Sequence, residues 1–102
     1  MLKVLSLIKR KEGMSLDAFR HWVQVEHLEF SKKLPGMRKY IVNVLAQESP
    51  DSPFDAVNEM YFDDEAAMKA AFATPEGAAA GADAAAHAAH RVRLLMTEKV
   101  QF

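Results

Sequence analysis

The chain contains no cysteine. That one absence removes disulfide staples, thiolate metal sites and a cysteine nucleophile, and it suits a reducing cytosol. Glycine and proline number only four each, and no Gly-rich phosphate loop is among the motifs. No Ser-His-Asp order is read as a nucleophilic triad. Neither sign of charge is in excess: 13 Lys and Arg stand against 14 Asp and Glu, a net charge of −1. A nucleic-acid-binding face usually carries a basic surplus, so no nucleic-acid partner is expected. No apolar run approaches the roughly 20 residues that cross a bilayer. The apolar start, Met1 to Arg10, is too short for a secretory signal and lacks a small-residue cleavage site. A cytoplasmic protein with no membrane partner is the expectation.

What is present suffices for one folded unit. Half of the 102 residues are hydrophobic, and the expected organisation is a single domain over residues 1–102. Domains of this length bury only about 60–70% of their unfolded surface, and oligomerisation is a common remedy. Leu2 to Lys9 reads as a strand, apolar on both faces. Ser15 is a good N-cap and Asp17 suits the first turn of a helix running to about Lys33. The apolar stripe of that helix is Leu16, Phe19, Val23, Phe30 and Leu34, and His27 fills the gap between Val23 and Phe30. Pro35-Gly36 stops it. Strands follow over Arg38 to Gln47 and Ala56 to Phe62, separated by the loop Ser49-Pro50-Asp51-Ser52-Pro53. Asp63 or Asp64 caps a second helix, Thr74-Pro75-Glu76-Gly77 interrupts it, and the alanine-rich stretch from Ala78 to about His90 continues as helix. Val92 to Phe102 reads as the last strand.

The resulting order is βαββαβ, the ferredoxin-like α+β arrangement: a four-stranded antiparallel sheet with helices on one face. Strands 1, 2 and 4 are apolar on both faces, Leu5 and Leu7 against Val4 and Ile8, Val42 and Val44 against Ile41 and Leu45, and Leu94 and Met96 against Leu95, so one apolar face has no helix to cover it. Large apolar patches mark interfaces, and a two-fold homodimer through the open sheet face is the simplest cover.

His27 is the sharpest chemical signal, an imidazole where leucine would be ordinary. It is either a general acid or base or a core histidine satisfied by a local hydrogen bond. Tyr40, just past the turn, is either a phenol that orients a substrate or a residue at the rim of the core. Phe19, Trp22, Val23 and Phe30 on the first helix and Val42 on the second strand are candidate substrate contacts, with core packing as the other reading. Glu26 neighbours His27 in sequence but faces elsewhere on a helix, so the two are not paired. Asp83, His87 and His90, spaced four and three apart, share a helix face. Such a face can supply metal ligands, yet a solvated polar face is the favoured reading and no metal is expected. Lys9-Arg10-Lys11 is a solvated strand end or a device that steers an anion.

These residues together resemble a known family. The segment Gly13-Met14-Ser15-Leu16-Asp17-Ala18-Phe19-Arg20-His21-Trp22, then His27, then Leu34-Pro35-Gly36-Met37-Arg38-Lys39-Tyr40, is similar to the EthD family. Asp55-Ala56-Val57-Asn58-Glu59-Met60-Tyr61-Phe62-Asp63 matches that family's third strand and cap. EthD takes its name from ethyl tert-butyl ether degradation and belongs to the dimeric α+β barrels. The resemblance implies a cofactor-independent enzyme that acts by proton transfer on a small cyclic or aromatic carbonyl or lactone compound. Isomerase, dehydratase or cyclase, and monooxygenase chemistries are all represented among relatives. It implies His27 and Tyr40 as catalytic groups, a small apolar or aromatic molecule as partner, and no cofactor. The alternative is a non-catalytic small-molecule-binding or accessory protein of a degradation pathway. The run Ala78 to Ala89 carries smaller residues than many relatives have there, which implies a different pocket size.

Overall fold

The computed structural model describes every residue from Met1 to Phe102. β1 is Leu2–Arg10. Gly13 turns the chain at a φ of 86°, a conformation that costs a glycine nothing. The Ser15 hydroxyl then accepts from the Ala18 amide at 3.0 Å and starts α1, Leu16–His21. The rod continues through a π-helical turn, Trp22–Glu26, into α2, Leu28–Ser31. Gly36, at a φ of 76°, reverses the chain into β2, Lys39–Val44, and β3 is Ala56–Phe62. Asp64 caps α3, Glu65–Phe72; Thr74 caps α4, Pro75–His87; β4 is Ala88–Met96.

The four strands form one antiparallel sheet in the order β2-β3-β1-β4. The fold is thus the ferredoxin-like α+β arrangement expected from the order of elements. Val4, Met60 and Phe62 pack with Leu34, Met68 and Ala71 in one apolar cluster. Ile8 and Ala56 pack with Phe19, Trp22, Val23 and Ala84 in another. All helices therefore lie on the face of the sheet that carries Val4 and Ile8. Between the two clusters the same face turns polar. Ser6 is in register with Asn58 on β3 and with Arg93 on β4, and Ile8 is in register with Arg91. This polar row divides the core and creates the space for a site.

Four boundaries differ from expectation. The last strand lies at Ala88–Met96, not Val92 to Phe102, because its partner β1 offers register positions only from Lys3 to Arg10. Alanine's helix propensity suggested helix through His90, but pairing with β1 takes over at Ala88. Thr74-Pro75 begins a helix as well as ending one. The Thr74 hydroxyl accepts from the Gly77 amide at 3.0 Å, and proline fits the first helical position, where its missing N–H costs nothing. The second strand is also shorter than Arg38 to Gln47, ending at Val44 where β3 ends opposite it at Ala56. No helix is long and apolar enough to cross a membrane.

Candidate functional site

The site is built from the π turn outward. The His27 amide donates to the Trp22 carbonyl at 2.8 Å, five residues back. In an α-helix five residues turn roughly 140° past a full circle, so their side chains diverge. The wider π turn realigns Trp22 and His27 on one side of the rod. Both then reach one carboxylate oxygen on α4. Asp83 Oδ2 accepts from Trp22 Nε1 at 3.0 Å and meets His27 Nδ1 at 2.8 Å. π turns of this kind recur at functional sites.

A carboxylate only accepts, so the proton of neutral His27 sits on Nδ1 and its Nε2 lone pair is free. The imidazole is 7% exposed, and Nε2 has no partner within the chain. His87 stacks on the Trp22 ring, with centroids 4.5 Å apart, and donates through Nδ1 to the Asp83 carbonyl at 2.8 Å. An imidazole anchored by a carboxylate is the arrangement that elsewhere fixes the tautomer of a catalytic base.

His27 lines a cavity of about 40 Å³, open on one side to solvent and shared with Ser6, Ser31, Tyr40, Asn58, Arg91, Arg93 and the small residues Ala80, Gly81 and Ala84 of α4. Asn58 is 2% exposed; its Nδ2 donates to the Tyr40 oxygen at 3.3 Å, while its Oδ1 has no partner. The Tyr40 hydroxyl is also in hydrogen-bonding contact with Ser31, whose own Oγ donates to the His27 carbonyl at 3.2 Å. Burial pushes the Tyr40 phenol above its ordinary range, against the smaller opposing effect of hydrogen bonds with Ser31 and Asn58. Partial burial, and then Arg91 beside it, push the Arg93 guanidinium down. Arg93 also lies 4.1 Å from the centroid of the Phe72 ring.

His27 and Tyr40 thus stand on the same cavity. The five residues expected to touch substrate do not line it. Phe19, Trp22 and Val23 are at most 1% exposed and belong to the apolar cluster beneath, because the α-helical stripe that includes them faces the sheet. Val42 packs against that cluster, and Phe30 reaches only the outer side of His27, with centroids 6.3 Å apart. Asp83, His87 and His90 are not a shared solvated face. Asp83 and His87 point inward to Trp22, whereas His90 lies on β4 and stacks on Phe54. No group of three or more potential ligands stands close enough to hold a metal ion. Lys9 and Arg10 are occupied by the buried carboxylate of Asp55, and Arg10 also by Glu48. Sequence reasoning missed Asp83 as the partner of His27, and missed Ser6, Asn58, Arg91 and Arg93. The available signal was a set of polar residues at core-facing positions of otherwise apolar strands.

A buried histidine anchored by an aspartate and a tyrosine in a cavity of a ferredoxin-like domain define a class of small α+β proteins with a pocket between helices and sheet. The model of the EthD domain matches residues 11–90, and the chain belongs to the EthD family. An ethyl tert-butyl ether degradation (EthD) family protein from Bacillus halodurans is 30% identical, with a TM-score of 0.81 over 97% of this chain and 99% of that one. A dimeric ferredoxin-like protein from Thermobifida fusca is similar at 17% identity and a TM-score of 0.74, covering 95% and 90% of the two chains. SnoaB, a cofactor-independent oxygenase from Streptomyces nogalater, is similar at 16% identity and a TM-score of 0.68, covering 98% and 94%. No curated protein sequence matches the chain.

Proposed function

We propose that the chain is a cofactor-independent enzyme that moves a proton on a small cyclic or aromatic carbonyl or lactone. The observation that carries this reading is the His27–Asp83 pair, with Nδ1 held at 2.8 Å and Nε2 unpartnered on a cavity that also holds Tyr40. Nε2 is the general base that takes a proton from the carbon beside a carbonyl. Electron density moves to the carbonyl oxygen, where the Tyr40 hydroxyl, turning from Ser31, donates to the growing negative charge. The charge left on the imidazolium is balanced by Asp83. The enolate so formed is common to isomerisation, dehydration and oxygenation without a cofactor, and the similarity to SnoaB supports including the last.

The second element of the proposal is a cytoplasmic homodimer closed through the open sheet face into an α+β barrel. Leu5, Leu7, Ile41, Val57, Val92, Leu94 and Met96 share that face by the strand registers. Leu94 and Met96 are 40% and 42% exposed in the lone chain. The dimeric protein from Thermobifida fusca supports the homodimer, and the exposed apolar face supports its placement.

The direct test is exchange in deuterated water. Small cyclic ketones and lactones are incubated with the protein, and deuterium entering beside the carbonyl is followed by mass spectrometry. Exchange by the wild type that is lost in His27→Ala supports the base. Binding that survives His27→Ala, with no compound exchanging faster than in buffer, would instead mark a non-catalytic carrier or accessory protein.

A further inference from the structure

Three of the chain's five arginines are neutralised within the fold: Arg10 by Glu48 and Asp55, Arg20 by Asp17, and Arg38 by Asp63. Arg91 and Arg93 have no carboxylate partner, yet both lie on the helix-facing side of β4 and line the cavity that holds His27 and Tyr40. A shallower depression along β4 shares the same two arginines and Ser6, so the pair stands where the cavity opens to solvent. Phe72 holds the Arg93 guanidinium against its ring at 4.1 Å, which fixes its position without consuming its N–H donors. Two uncompensated guanidinium groups side by side repel each other, and an anion between them relieves the repulsion.

We propose that Arg91 and Arg93 form the anion-binding end of this cavity and that its substrate carries a carboxylate. The proposal rests on reading the cavity as a substrate site and adds the class of molecule it takes. Residues two apart on a strand are separated by roughly 6.6 Å, a span that two guanidinium forks close around the two oxygens of one carboxylate. Phosphate groups more often draw on backbone amides at a helix N-terminus. Here the α4 residues on the cavity, Ala80, Gly81 and Ala84, come from the middle of the helix. The polar groups are thereby sorted along the cavity. Anion recognition falls at the arginines, and Nε2 of His27, the Tyr40 hydroxyl and Asn58 Oδ1 are left for the reacting part. The competing explanation is that inward charges on an edge strand merely discourage pairing with other chains.

Titration calorimetry with benzoate, the isosteric benzamide and inorganic phosphate decides the matter. Benzoate should bind the wild type about tenfold more tightly than benzamide, with the affinity falling as salt rises. The preference should collapse toward unity in Arg91→Gln/Arg93→Gln and in each single variant to a lesser degree. Arg91→Lys/Arg93→Lys keeps the edge charge but loses the forked geometry, and should keep only part of the preference. Circular dichroism verifies that the variants are folded. Equal binding of benzoate and benzamide, binding of neither, a preference that survives both glutamines, or tighter binding of phosphate would each overturn the carboxylate assignment. His27→Ala should retain the benzoate preference while losing proton exchange, so failure of the base and failure of the anion site are read separately.

Discussion

Asp83→Ala is the most informative single change, because one oxygen of Asp83 serves two buried donors. Trp22 is 1% exposed and His27 7%, so neither ring can turn to water when the carboxylate is gone. Stranding the indole N–H costs about 1–3 kcal/mol, and loss of the imidazole bond at 2.8 Å adds to it. Alanine's better helix propensity at a position inside α4 returns roughly half a kcal/mol. The net expectation is a loss of about 2–3 kcal/mol, or about 10–20 °C in Tm for a domain of this size. Urea denaturation of wild type and variant measures it. A double-mutant cycle with Trp22→Phe isolates the indole share, because Asp83→Ala should cost less once the donor has been removed. Long-range proton–nitrogen spectra of the imidazoles, taken where they are neutral, give the second readout. The wild-type His27 proton should sit on Nδ1, and the variant should lose that preference. A stability loss below about 0.5 kcal/mol with an unchanged tautomer would refute the account of the pair.

Gly77→Ala should destabilise by about 1–3 kcal/mol, because a Cβ there would meet the Phe72 and Ala71 carbonyl oxygens at 2.6 and 2.7 Å. Helix propensity alone predicts the opposite sign, so a rise in the denaturation midpoint would contradict the packing argument. Tyr40 ionises later in the folded chain than its ordinary value of 10.0, so stability should be flat below about pH 10 and fall above it, as the unfolded phenol loses its proton first. Tyr40→Phe should remove that alkaline slope in denaturation midpoints taken on either side of pH 10. Leu94→Asp, on the open sheet face, should shift a dimer toward monomer in sedimentation velocity while leaving the far-ultraviolet spectrum of the folded chain in place. An unchanged sedimentation coefficient would remove that face as the interface.

Much of the fold was legible because it is written in short-range chemistry. Ser15 and Asp64 cap helices as their side chains suggest, and Ala56–Phe62 alternates cleanly between faces. The end of the alanine helix was less legible, since propensity favours helix through Ala89 and only the distant partner β1 imposes a strand from Ala88. The site was legible in part. His27 stood out as polar on an apolar stripe, but an α-helical period cannot show that Trp22 and His27 share a side of the rod, because that depends on the π turn. Asp83 was visible only as a member of a local set, while its real partners lie 56 and 61 positions away. Ser6, Asn58 and Arg93 become one row only when three strands are set in register.

The helix that carries Asp83 is thinly held. Its buried residues are Gly77, Ala80 and Ala84, none with more than a methyl group to bury. Segments with so little apolar contact lie at the low end of local opening free energies. On the proposed reading, the base at His27 is therefore held by one of the least firmly packed elements of the fold, and the last third of the chain must fold before the first third acquires its anchor. A partly synthesised chain, or one whose α4 has transiently opened, would hold His27 without its anchor and would be silent. Amide exchange in α4 that runs ahead of exchange in β1 and β3 would show this helix setting the fraction of molecules ready to react.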